Sequence, residues 1–311
     1  MRTVLERELL FMTGKGGVGR TTVAAATGIL AASRGLRTVV VEVGEQSRLP
    51  HMFGLPPGED GAPVRLERNL SAITVDPDRA LLEWLQTVGG RVSGRLLASS
   101  STFQYFAAAA PGARELVSMV KVCQLTRGGR GRSGRFDLVI VDAPATGHAL
   151  GMLRSPATFG AIARVGPIAG QTQKVREMLR DPERVCFVAV AQPSDMAVTE
   201  AVEIDRALAA DLGRGLAGVI VNGLLPRRFS AAEVERMAAV GPRVRGGPAG
   251  PAVEGAVHAA QAVASGARAQ RAQVARLRRG GLETVTVPFS WGREFGLEQV
   301  RAIADHLGRR M

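Results

Sequence analysis

Leu10-Phe11-Met12-Thr13-Gly14-Lys15-Gly16-Gly17-Val18-Gly19-Arg20-Thr21-Thr22 is the stretch that decides the fold. An apolar run of strand character passes into a glycine-rich loop and then into a helical pattern that reaches Ser33. Glycine lets the backbone curl so that successive N–H groups point inward, and the N-terminus of the following helix adds its partial positive charge. Such a nest prefers a polyphosphate, so the backbone of Gly14, Gly16, Gly17, Val18 and Gly19 is expected to cradle one. Thr21 then takes the hydroxyl position that holds Mg²⁺ between phosphate oxygens, and Thr22 reaches the α-phosphate. Arg20 stands where such loops ordinarily have lysine. It is cationic and can pair with phosphate bidentately, but it is longer, planar and forked, so the exchange is not conservative at a close-packed site.

Outward from this loop, short apolar runs alternate with helical patterns, the signature of a mainly parallel sheet covered by helices on both faces. Strands are predicted at Leu9–Thr13, Arg37–Glu42, Leu70–Val75, Phe136–Val141, Val185–Ala191, Gly218–Val221 and Thr284–Val287. Helices are predicted near Thr21–Ser33, Arg79–Val88, Met196–Leu212, Ala231–Ala239, Ala252–Arg279 and Gly296–Leu307, with a Gly/Pro loop over Pro242–Pro251. Two mainly helical stretches, about 91–124 and 153–179, exceed a minimal βαβ rhythm and read as insertions at the carboxyl end of the sheet. The whole chain, 1–311, is thus expected to be one α/β nucleotide-binding (P-loop NTPase) domain with helical insertions.

A second motif, Phe136-Asp137-Leu138-Val139-Ile140-Val141-Asp142-Ala143-Pro144-Ala145-Thr146-Gly147-His148, ends an apolar strand in Asp142. A carboxylate at a strand end is the usual partner of the Mg²⁺ shell in such proteins. Together the two motifs carry a resemblance. Gly14-Lys15-Gly16-Gly17-Val18-Gly19 resembles the deviant Walker A loop of the family that holds the arsenite-pump ATPase, the tail-anchored-protein targeting ATPase, the septum-site and chromosome-partition ATPases and the nitrogenase iron protein. The Ala143–His148 loop is similar to switch II of the arsenite-pump (ArsA) and targeting branch, which reads Asp-Thr-Ala-Pro-Thr-Gly-His. Asn69-Leu70-Ser71-Ala72 with Asp76-Pro77, Ala110-Pro111-Gly112 with Glu115, and Pro193–Glu200 follow in that branch's order.

The resemblance implies a cytoplasmic, Mg²⁺-dependent ATPase that works as a dimer. It implies that Lys15 reaches the partner subunit's nucleotide, that His148 is a switch residue, and that Asn222 and Pro288 bound an adenine pocket. In switch I the match breaks: the family's Asp-Pro-Ala-His-Ser is replaced by Glu42-Val43-Gly44-Glu45-Gln46-Ser47, with Gly44 at the water-positioning Asp. Glu42 or Glu45 is left to take that role. Arg20 and Gly44 together keep a second reading open, a nucleotide-binding but hydrolytically weak subunit that pairs with a paralogous ATPase. A partition-type protein that positions itself on DNA or membrane is a third.

The formal charge of +12 invites a polyanion partner, but Lys15, Lys121 and Lys174 are the only lysines and the arginines are spread along the chain. No specific nucleic acid is expected. Local clusters at Arg127–Arg135 and Arg268–Arg279 read as solvated surface or as a docking patch for an acidic or membrane-associated partner. Cys123 and Cys186 stand in apolar contexts without neighbours that complete a zinc or iron–sulfur spacing, and two isolated thiols cannot form a soft-metal cluster. No apolar run approaches the roughly 20 residues of a membrane helix. Met1–Glu8 lacks an apolar signal-peptide core, so a cytoplasmic protein is expected. A hydrophobic client would need an apolar groove, for which Phe103, Tyr105, Phe106, Leu116, Met119, Val120, Met152, Leu153, Phe159 and Ile162 are the candidates; they are equally the residues of an ordinary core.

Overall fold

The computed structural model describes residues 1, 3–44, 47–58, 62–88, 112–126, 136–162, 167–244, 250–292 and 295–311. Among them, eight strands form one sheet: β1 (Leu9–Thr13), β2 (Thr38–Val43), β3 (Val64–Glu67), β4 (Leu70–Val75), β5 (Leu138–Asp142), β6 (Val185–Ala191), β7 (Gly218–Leu224) and β8 (Thr284–Pro288). Their order is β3-β4-β2-β5-β1-β6-β7-β8, parallel throughout except for β3 against β4. The α/β fold with a mainly parallel sheet is therefore as read from the sequence.

Strand residues alternate between two cores, which is why these strands are apolar without interruption. Leu10 and Met12 of β1, Val40 of β2, and Leu138 and Ile140 of β5 face one core. Leu9, Phe11, Val39, Val41, Val139 and Val141 face the other. The first core is closed by α1 (Arg20–Ser33), α7 (Asp195–Leu212), α9 (Gly250–Arg279) and α10 (Leu297–Gly308). The second is closed by α3 (Pro77–Val88), α4 (Ala113–Leu125), α5 (Thr146–Ile162) and α6 (Pro167–Arg180). A four-residue helix, α2 (Leu49–Met52), follows β2, and α8 (Ala231–Val244) packs on α9.

Two expectations change, and one open alternative is decided for the described residues. β3 has no counterpart in the sequence reading, because four residues with one buried side chain carry too little alternation; Asn69, left-handed at φ 63°, turns the chain from β3 into β4. The Gly241-Pro242 pair does not end α8, which runs on to Val244. A proline there forfeits a helical bond near the end, where such bonds are least cooperative. Of the two readings of the apolar client candidates, the described residues take that of ordinary core. Leu116, Met119 and Val120 of α4 and Met152 and Leu153 of α5 are buried in the second core, with Phe159 packed against it. Phe103, Tyr105 and Phe106 lie outside the described residues, as does the side chain of Ile162. So do the first half of the 91–124 insertion and the Arg127–Arg135 cluster. No helix among the described residues is long and apolar enough to cross a membrane.

Candidate functional site

β1 lies between β5 and β6 in the sheet, and the loop after it emerges where the connections of neighbouring strands diverge, the place where open α/β sheets bind ligands. The loop conformation demands its glycines. Gly14 has φ 149° and a Cβ there would strike the Val190 carbonyl; Gly19 has φ 84° and a Cβ would strike the Asn222 side chain. Gly19 caps α1, so the helix points its N-terminus into the loop. A Cβ added at Gly16 or Gly17 would meet open space, so the mouth of the loop is open on that side, while the Gly17 carbonyl accepts from Gln192 Nε2 at 3.4 Å. Val18 is buried, and its carbonyl accepts a 2.9 Å bond from Asn222 Nδ2.

Asp142, at the end of β5, is the centre of the polar side. Its Oδ2 accepts from Thr21 Oγ1 at 2.5 Å, and its Oδ1 accepts from Arg20 Nε at 2.7 Å. Arg20 Nη1 also donates to the Gly14 carbonyl at 2.7 Å, so the guanidinium spans from the start of the phosphate loop to the carboxylate. These residues open on a cleft of about 610 Å³ that is also lined by Glu42, Gly44, Arg48, Asp76, Asp78, Arg114, Pro144 and His148. His148 sits at the start of α5, largely exposed, with Nδ1 at 4.0 Å from Glu115.

Glu42 reaches the same cleft but is otherwise engaged. Its carboxylate accepts from the Arg48 amide at 3.0 and 3.1 Å and from the Leu49 amide at 3.1 Å, closing the start of α2. Burial pushes its pKa above the ordinary value; the Leu49 and Arg48 amides oppose this and the charge of Asp142 adds to it. Gly44, at φ 148°, is tied to β4 by its own amide on the Val75 carbonyl at 3.1 Å and leaves open space where a side chain would stand. Glu45 lies outside the described residues.

A second cleft, about 620 Å³, lies on the other side of the loop and is more apolar. Thr22, Gln192, Pro193, Asn222, Gly223, Pro288 and Phe289 are among its walls. Phe289 meets Trp291 edge-on at 4.8 Å, and the Arg228 guanidinium lies 4.9 Å from the Trp291 ring. Lys15 leans over Met196 Sδ at the start of α7, a methionine that is 65% exposed. Of the residues singled out in the sequence, Arg20, Thr21, Glu42, Asp142 and His148 thus share the polar cleft, while Thr22, Asn222 and Pro288 share the other. Arg48, Arg114, Asp78 and the aromatic group around Trp291 carry no local motif, because they meet only once distant strand ends are side by side.

The sequence profile of the anion-transporting ATPases matches residues 7–165, just over half of the chain, and holds both the phosphate loop and Asp142–His148. The chain belongs to the anion-transporting ATPase family. The arsenical pump-driving ATPase of Acidiphilium multivorum is 29% identical over 250 residues, 74% of this chain and 41% of that protein. A putative arsenical pump-driving ATPase of Halobacterium salinarum is 29% identical over 243 residues, 73% of this chain and 37% of that protein. ATPase BagA of Mycobacterium tuberculosis is 25% identical over 236 residues, 74% of this chain and 69% of that protein. The match spans about two fifths of the length of the two pump relatives. Within this anion-transporting ATPase chain the apolar cleft draws on residues beyond 165, outside the family match, whereas the polar cleft lies wholly inside it. Neither cysteine joins the site: Cys123 and Cys186 are buried, and burial pushes the Cys186 thiol up to about 12. No group of three or more His, Cys, Asp or Glu side chains among the described residues is arranged to hold a metal.

Proposed function

We propose that this chain is a cytoplasmic ATPase that binds Mg·ATP through the 14–22 loop, works as a dimer, and couples hydrolysis to movement of the loops at Gly44–Phe53 and Ala143–His148. One observation carries the reading: a single phosphate loop stands between a polar cleft and a more apolar one. That division suits a polyphosphate joined to a flat base. The polyphosphate would meet the loop amides and the α1 N-terminus, and the base would lie against Asn222, Pro288 and Phe289. We read the whole chain, 1–311, as one nucleotide-binding domain with the helical segments at about 91–124 and 153–179 inserted into it.

Magnesium fits the oxygen donors present. Mg²⁺ takes hard oxygen ligands, keeps several waters and needs few protein groups besides substrate phosphates. Thr21 Oγ1 and Asp142 supply these, and the absence of a three-carboxylate cluster among the described residues is no obstacle. When bound, the metal would neutralise charge that develops between the β- and γ-phosphates. Lys15, beside its own chain's Met196 at the start of α7, would reach the partner subunit's nucleotide, the role that the family resemblance implies. His148 would then move with α5 as switch II, against Glu115 of α4.

A specific observation favours a second reading, a nucleotide-binding subunit of weak hydrolytic power that pairs with a paralogous ATPase. Arg20 occupies the carboxylate, Gly44 presents no side chain, and the Glu42 carboxylate is committed to backbone amides. Titration with ATP, followed by phosphate release and sedimentation with and without Mg·ATP, separates the possibilities. Binding with release and a nucleotide-dependent dimer supports the first reading; binding without release supports the second. Failure to bind ATP at millimolar concentration contradicts both.

A further inference from the structure

Resting on the nucleotide-binding reading, we propose that this site captures nucleoside polyphosphate free of metal, with Arg20 supplying at Asp142 the positive charge that Mg²⁺ ordinarily brings. Asp142 is buried and both of its oxygens are taken, Oδ1 by Arg20 Nε at 2.7 Å and Oδ2 by Thr21 Oγ1 at 2.5 Å. A buried carboxylate at the foot of a phosphate loop repels an incoming polyanion, and where lysine stands alone that repulsion is relieved when the metal arrives with the nucleotide. Here it is relieved in advance, within the chain, by a salt bridge whose two side chains are 16% and 7% exposed.

The guanidinium can do this without leaving the phosphates unserved. It presents nitrogens in a fixed fork. Nε is on Asp142 and Nη1 on the Gly14 carbonyl at 2.7 Å, so both anchors lie within the protein. Nη2 has no protein partner among the described residues, and the residue lines the polar cleft. A phosphate oxygen in the loop is its natural acceptor. An ammonium is a point charge and cannot hold a carboxylate, a backbone carbonyl and a phosphate in one plane. Of the other arginines that line the cleft, Arg114 is paired with Asp78 at 2.6 Å, and Arg48 lies on the β2 side by Glu42; neither is bonded to Asp142. The same pairing disfavours early entry of Mg²⁺, since a second cation drawn to Asp142 meets a like charge already there. Nucleotide binding at this site therefore does not require the metal, whereas hydrolysis would.

Calorimetric titration of the full chain with ATP and with ADP, in EDTA and in Mg²⁺, tests this directly. The affinities in the two conditions should agree within about threefold, and Arg20→Lys should open a gap of about tenfold or more by weakening the metal-free complex. Asp142→Asn gives an independent arm should Arg20→Lys fail to melt cooperatively: it removes the charge but spares the guanidinium, so metal-free affinity should hold or rise. Wild-type binding that needs Mg²⁺ by tenfold or more overturns the proposal. So does a ratio unmoved by Arg20→Lys, or metal-free affinity lost in Asp142→Asn. Absence of binding in both conditions overturns the nucleotide reading itself, an outcome distinct from the others.

Discussion

Two strands end in buried carboxylates at the same cleft, and the chain uses them differently. Asp142 at the end of β5 is bonded by side chains that belong to the phosphate loop, Arg20 and Thr21. Glu42 at the end of β2 is bonded by backbone amides of its own following segment, Arg48 and Leu49. The β1–β5 half of the site is thus assembled around where phosphates would lie, with donors placed before any ligand arrives. The β2 half has its acidic group committed to holding a loop, and the next backbone position that faces the cleft is a glycine. With phosphates at the β1–β5 half and the attacking water at the β2 half, as proposed, the two tasks rest on different strand ends, and one can be rebuilt while the other stays intact.

The largest effect is expected from breaking the intact half at its backbone. Gly14→Ala places a Cβ against the Val190 carbonyl at a φ that alanine rarely adopts, and should cost about 2 kcal/mol or more of stability together with nucleotide binding. Denaturant unfolding with an ATP titration measures both; native stability and affinity in this variant would mean the loop has a different shape. Next in size is Lys15→Ala. If the lysine acts on the partner's nucleotide, its loss should spare affinity and lower turnover by about a hundredfold, because the interaction matters most in the transition state. In mixed dimers the defect should appear at the unmutated neighbour's site, and a defect confined to the mutated subunit's own nucleotide contradicts the cross-interface role.

The intact half was also the legible half. The loop 14–22 and the strand running to Asp142 are contiguous in sequence, so apolar run, glycines and hydroxyls signal together, and the strand bounds at Leu9–Thr13, Leu70–Val75 and Val185–Ala191 agree with the sequence reading to the residue. What the sequence left open depends on approach between distant segments. That Arg20 would bond Asp142, 122 positions away, and that Glu42 would fold back on the Arg48 and Leu49 amides, are properties of side-chain direction at strand ends. Nothing in local pattern distinguishes a Glu that faces water from one that caps a helix. Asn222, assigned to the base edge, is placed in the apolar cleft, but its amide also ties β7 to the phosphate loop through Val18. For Leu116, Met119, Val120, Met152 and Leu153 the sequence left groove and core equally open, because the helical spacing of α4 and α5 packing inward on the sheet is the same as that of a groove.

Two smaller effects sharpen the comparison. Arg20→Lys frees Asp142 and returns a compact ammonium to the phosphates, so hydrolysis in Mg²⁺ should rise, by about tenfold if the guanidinium is the main restraint. A fall in turnover would mean that the cleft has been refitted around arginine. The smallest effect concerns Glu42. Its pKa is raised by burial, so the folded chain takes up this proton before the unfolded chain does. The resulting stabilisation is fully present below the unfolded carboxylate pKa and is lost as pH rises through the raised folded value. Glu42→Gln should therefore flatten the decline of melting temperature with pH just above the ordinary carboxylate range. An unchanged slope would place the titration on another group.

The separation of binding from water positioning is tested most directly by measuring bound ATP and released phosphate in one single-turnover experiment on the wild-type chain with Mg²⁺. The account predicts a stoichiometric complex whose phosphate release is slower than about 1 s⁻¹, the lower end of ordinary enzyme turnover. Release at about 10 s⁻¹ or faster from that complex would contradict it, because the β2 half would then be positioning water as well as any intact enzyme.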